Sequence, residues 1–91
     1  MLVKNKVSEC KVNEALDLAI KLLDIKPVDL AKKSGVSASQ ISRYRNGDRD
    51  IGMSSFAALL RVMPDNARKG LIDCLEGKVS KEEFISRILA A

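Results

Sequence analysis

The sequence predicts an all-α fold, a compact bundle of five to six short helices, and three observations predict it. Apolar residues recur at steps of three and four along most of the chain, the spacing that gathers side chains on one side of a helix. Proline and glycine are few, two and five in 91 residues, and such a low content favours helices throughout. Only Tyr44, Phe56 and Phe84 are aromatic, so the core must be assembled from Leu, Ile, Val and Ala. A chain of this length, 46% hydrophobic and 31% charged, is globular and has room for one core.

Residues 1–6 read as a flexible basic arm. A first helix is expected to run to about Asp24, with Val12, Ala15, Leu16, Ala19, Ile20 and Leu23 on one face. Ser8 is a candidate cap with Val7 and Val12 as a hydrophobic staple, and Asn13 is an alternative start. Pro27 suits the first position of a second helix, where its missing N–H costs nothing. Lys26 then takes the cap position, Ile25 and Leu30 have staple spacing, and Gly35 ends the helix. The third helix has the clearest start: Ser37 and Gln40 form a capping box, bracketed by Val36 and Ile41. It stops near Arg45, before Asn46-Gly47-Asp48. Gly52 and Met53 open a fourth helix that buries Phe56, Leu59, Leu60 and Met63. Pro64-Asp65 starts a fifth, with a stripe of Ala67, Leu71, Cys74 and Leu75 and a stop at Gly77. Ser80 to Glu83 is a second capping box, stapled by Val79 and Phe84, and the last helix carries Phe84, Ile85, Ile88 and Leu89.

The net charge of +4 is unevenly placed. Residues 26–50 carry six cations against three anions, while residues 64–91 balance five against five. A local positive field of this kind suits a polyanion. There is no histidine, and Cys10 and Cys74 lie far apart in the chain with no Cys-x-x-Cys, which argues against a zinc site. No Gly-rich phosphate loop and no nucleophile–base pair is visible, so the chain does not read as an enzyme, and no cofactor is expected. No apolar run approaches the roughly 20 residues that cross a bilayer, and no secretory leader is seen. A cytoplasmic protein with two free thiols is the expectation, Cys74 in the core and Cys10 partly exposed.

The stretch LAKKSGVSASQISRYRNG, Leu30 to Gly47, then becomes informative. Two short helices joined by a tight turn at a large angle make a helix-turn-helix. Ala31 is small where the helices cross, Gly35 permits the turn, and Leu30, Val36 and Ile41 bury beneath it. Ser39, Gln40, Ser42 and Arg43 are left facing outward on a stiff rod. Short hydrogen-bonding side chains with cations nearby are what base edges and phosphates require. The longer segment LAKKSGVSASQISRYRNGDRDIGMSSFAALLRVM resembles the helix-turn-helix of phage repressors of the lambda repressor and Cro type. Leu30, Ala31, Gly35, Val36, Ser37, Ile41, Ser42 and Gly47 fit that pattern, and the resemblance covers roughly residues 13–63. It implies a DNA-binding domain over residues 7–63 that acts as a dimer on a palindromic operator, with half-sites about 34 Å apart. Residues 64–91 then read as a helical hairpin that dimerises, so that its removal leaves a weakly binding monomer; packing back onto the first helix is the alternative. The family often places Thr-Gln at the start of the second helix and Gln at the start of the third. Here Lys26-Pro27 and Ala38 stand there, so phosphate anchoring passes to Lys26 or to backbone N–H groups.

Arg43 is the leading base reader, because Arg paired with guanine is the commonest specific contact. Ser39 lies where the helix enters the groove. Gln40 either reads a base or is consumed by its capping box, Ala38 is a spacer or touches a thymine methyl, and Ser42 gives neutral support. Asn46 and the Gly47 backbone are phosphate clamps or a helix stop, or both. Arg45, Arg49, Lys32 and Lys33 are expected at phosphates. Tyr44 packs its ring against the fourth helix with its hydroxyl toward a phosphate. Lys4 and Lys6 are either a groove-entering arm or a tail. The expected function is a sequence-specific transcriptional regulator, repressor-like, with double-stranded DNA and a second copy of the chain as partners. The alternative is an antitoxin or protein-interaction module, whose partner would be a protein such as a toxin.

Overall fold

A computed structural model describes residues 10–90 and contains six helices in that range: α1 (Val12–Leu22), α2 (Pro27–Ser34), α3 (Ala38–Arg45), α4 (Met53–Val62), α5 (Asp65–Leu75) and α6 (Lys81–Ala90). The fold is all-helical, as the apolar spacing predicts. The arm at residues 1–6, with Lys4 and Lys6, and the Ser8 cap with Val7 lie outside the described residues. α1 begins one residue before the alternative start at Asn13, with Lys11 at the cap position and no side chain satisfying its first N–H groups. Its end comes two residues earlier than expected. The Ile25 N–H bonds the Ile20 carbonyl at 2.9 Å and the Asp24 N–H bonds Lys21 at 3.3 Å, with Asp24 left-handed at φ 53°. That is a Schellman closure with aspartate where glycine is usual. Aspartate tolerates this conformation better than most side chains, and it is a poorer sequence signal than glycine for the same reason.

α1 is the central rod. Its Ala15, Leu16, Ala19 and Ile20 share one core with Leu30, Val36, Ile41, Leu59, Met63, Ala67, Leu71, Cys74, Val79, Phe84 and Ile88. Contributions therefore come from every helix, and the C-terminal pair α5–α6 packs directly on α1. The packing-back alternative for residues 64–91 is thus realised within a single copy. Three members of the predicted stripes lie outside the core: Leu75 is 53% exposed, Leu89 is 64% exposed, and Ile85 is half-buried away from the cluster. α5 turns its small-residue face, Ala67, Gly70, Leu71 and Cys74, inward, and this rotates Leu75 to the surface. Leu60 is half-buried rather than enclosed.

Gly70 sets the α5–α6 distance, a role that periodicity does not reveal. A Cβ at Gly70 would lie 2.9 and 3.0 Å from two ring carbons of Phe84, which is fully buried. Glycine inside a helix costs about 1 kcal/mol relative to alanine. Here the missing methyl is the space that the Phe84 ring occupies. Gly70→Ala is expected to destabilise the fold by about 1–2 kcal/mol, overpacking outweighing the gain in helix propensity. A lower urea midpoint with unchanged slope checks this.

Candidate nucleic-acid interface

The α2–turn–α3 unit is fixed by local bonds. Gly35 adopts φ +79° and its N–H bonds the Ala31 carbonyl at 2.9 Å. Space around a Gly35 Cβ would be open, so the backbone conformation and not crowding calls for glycine. Ser34 adds a brace that the sequence reading missed: its Oγ accepts the Val36 N–H at 3.1 Å. Ser37 then caps α3. Its Oγ accepts the Gln40 N–H at 3.1 Å, while Gln40 Oε1 accepts the Ser37 N–H at 3.2 Å. Both halves of the predicted capping box are present, and Leu30, Val36 and Ile41 are buried beneath the turn.

This anchoring decides which side of α3 faces water. Ile41 points inward and is fully buried. Tyr44, one turn on, is half-buried and meets the Phe56 ring of α4 edge-on, with ring centroids 6.2 Å apart. Arg45 follows on the same side. Its Nε donates to Asp17 Oδ1 of α1 at 2.8 Å, and its side chain is only 17% exposed. The guanidinium therefore ties α3 to α1, a tertiary task that the phosphate assignment for Arg45 did not include. Ala38, Ser39, Gln40, Ser42, Arg43 and Asn46 are all exposed. Ser39, Gln40 and Arg43 come together with Arg49 and Asp50 around a surface concavity of about 230 Å³. Gln40 is held at its oxygen by the cap, so its amide nitrogen is the end that can reach outward.

The remaining predicted contacts lie around this face rather than on it. Lys26 is exposed at the start of α2, where Pro27 offers no N–H and the Leu30 N–H already bonds the Lys26 carbonyl. Lys32 and Lys33 are exposed on the last turn of α2. At the end of α3 the Asn46 N–H bonds Ser42 at 3.1 Å and the Gly47 N–H bonds Tyr44 at 3.0 Å. These backbone donors stop the helix, and the Asn46 side chain remains exposed.

Two titratable groups carry information about the scaffold. Burial would raise the Asp17 carboxyl, but hydrogen bonds from Lys21 and Arg45, with their charges, outweigh it and hold the group below its ordinary value. The contacts are 2.9 Å to Lys21 Nζ and 2.8 Å to Arg45 Nε. A depressed carboxylate adds stability that is fully present above its unfolded value of about 3.9 and is lost as pH falls through the lower folded value. Asp17→Asn is expected to cost about 1–2 kcal/mol at pH 7, with the difference from wild type shrinking below about pH 4. Urea titrations at pH 7 and pH 3 measure both. The Tyr44 phenol is pushed up by burial, then by the Asp50 carboxylate, so it stays a neutral donor around physiological pH.

A family model described as "Helix-turn-helix" matches residues 16–64, more than half of the chain. The match begins inside α1 and ends just before α5, so it takes in the whole α2–turn–α3 unit and the helix that supports it. No curated protein and no solved structure matches the chain. Among the described residues no helix is long and apolar enough to cross a membrane.

Proposed function

Because the chain belongs to the phage-repressor-type helix-turn-helix family, a family of DNA-binding regulators, we propose that it is a sequence-specific transcriptional regulator that seats α3 in the major groove of an operator. The observation that carries this reading is the outward face of α3: short polar side chains and Arg43, exposed to an approaching duplex, on a helix locked at its start by a capping box. Arg43 pairs with a guanine edge. Ser39 and the Gln40 amide nitrogen reach neighbouring bases, Ala38 keeps the helix start close to the groove floor, and Ser42 supports them. Lys26, Lys32, Arg49 and the Asn46 side chain sit on phosphates, which position the helix without reading sequence. Arg45 serves by holding α3 against α1.

One short helix reads few base pairs, so we propose that two copies bind a palindromic operator and repress from it. Because α5–α6 shares the core of α1, a second copy would have to use outward residues such as Ile72, Leu75 and Leu89, all exposed. The alternative, a protein-interaction module or antitoxin, has one observation in its favour. Ile51, Met53, Phe56 and Leu75 line a partly apolar surface cavity of about 400 Å³, and Met53 is 73% exposed.

Salt separates the two readings. Affinity for DNA should fall linearly on a log–log plot against salt, with a slope of about −0.9 per phosphate neutralised. Three phosphate cations per copy, Lys26, Lys32 and Arg49, give a slope of about −5 for a dimer. The DNA is obtained by selecting bound sites from a random library. Failure to enrich any site, with a flat salt response, would overturn the regulator reading and leave the interaction module.

A further inference from the structure

Cys10 and Cys74 are distant in the chain but adjacent in the fold. Their sulfurs lie 2.7 Å apart, near enough for a disulfide bond of about 2.05 Å to form with a small local shift. The Cys74 Sγ also lies 2.8 Å from the Cys10 carbonyl oxygen. Both thiols are free. Cys74 belongs to the core, whereas Cys10 is half-buried, and the pair borders an open surface cavity of about 900 Å³ together with Lys11, Asn13, Lys78 and Ser80. A small oxidant has a route to the pair. The segment carrying Cys10 precedes α1 and Cys74 is on α5, so a bond between them would tie together parts of the fold that flank the helix-turn-helix on either side in sequence.

We propose that Cys10 and Cys74 form a redox modification site, in which hydrogen peroxide converts the two thiols to an intramolecular disulfide that clasps the start of α1 to α5. The accessible Cys10 sulfur attacks the peroxide oxygen, the O–O bond breaks, one water leaves and Cys10 becomes a sulfenic acid. The Cys74 sulfur then attacks the Cys10 sulfur, its proton joins the departing hydroxide, and a second water leaves. Two thiols are oxidised by two electrons and one hydrogen peroxide is reduced to two waters. Cys74 suits the second role. Burial, and then the Cys10 sulfur beside it, push its thiol up to about 12, so it is not the first to react; its closeness to the Cys10 sulfur is what places it for the second attack once Cys10 is oxidised. A dithiol reductant reverses the bond by exchange.

The test uses the full chain at low concentration with one equivalent of hydrogen peroxide. The expected product is a monomer lighter by two hydrogen atoms that resists thiol alkylation after denaturation and yields a Cys10–Cys74 linked peptide. Its thermal midpoint is expected to rise by about 10 °C or more, because the bond closes a long loop of the unfolded chain, and to return on reduction. Cys10→Ser should leave Cys74 alkylatable and the midpoint insensitive to peroxide. Wild-type protein in which Cys10 alone gains oxygen while Cys74 remains a thiol, or in which only covalent dimers form, would overturn the proposal.

Discussion

Removing residues 64–91 is expected to abolish cooperative folding rather than to release a folded monomer. The reason lies in α1. Its Ala15, Leu16, Ala19 and Ile20 are no more than 3% exposed, and they share the core with Ala67, Leu71, Cys74, Val79, Phe84 and Ile88 of the C-terminal segment. Burial of one large apolar side chain contributes about 1.5–3 kcal/mol. Leu71, Phe84 and Ile88 together therefore account for about 5–9 kcal/mol before the newly exposed face of α1 is considered. Small domains have about 5–15 kcal/mol in total. The truncated chain should show a broad, non-cooperative urea transition and poor amide dispersion by NMR. A sharp transition in the truncated chain would mean that α5–α6 is a separable appendage. Phe84→Ala offers a graded version, at about 3–5 kcal/mol, through the cavity left beside Gly70.

The parts of the fold that the sequence made legible are those governed by neighbours three or four positions apart. Ser37 with Gln40, Val36 with Ile41, Pro27 at the start of α2 and Gly35 at its end each state a local bond or backbone conformation, and each is present. The exposed face of α3 follows from the same periodicity once Ile41 is placed inward. What stayed hidden depends on distant pairings. Arg45 reads as one more cation in a basic stretch until Asp17 of α1 is brought beside it. Gly70 looks like a weak point in a helix until the Phe84 ring is seen above it. Cys10 and Cys74 carry no motif, because their proximity is made by the way α5 lies along α1. Leu75 and Leu89 fit their stripes by spacing, but the inward direction of a helix is set by its neighbours, and those neighbours chose the small-residue side of α5.

Arg43→Ala is expected to lower affinity for the selected operator by about 10- to 100-fold per half-site, corresponding to about 1–3 kcal/mol for each bidentate guanine contact, while leaving stability within about 0.5 kcal/mol of wild type. Arg43 is exposed, and among the described residues no ion pair involves its guanidinium. Its carbonyl accepts the Asp48 N–H at 2.9 Å, a bond that alanine retains. Alanine is also a good helix former, so the substitution deletes a contact without loosening α3. Arg45→Ala provides the contrast. It breaks the 2.8 Å bond to Asp17, so its effect on DNA affinity should follow its effect on folding stability. Arg43→Lys then separates base reading from charge. Lysine keeps the positive charge but cannot present the planar two-donor fork. If Arg43 touches only phosphate, the lysine variant should bind as wild type does and select the same sites. If it reads guanine, affinity for the operator should fall, affinity for unrelated DNA should hold, and library selection should return a site degenerate at the position that Arg43 contacts.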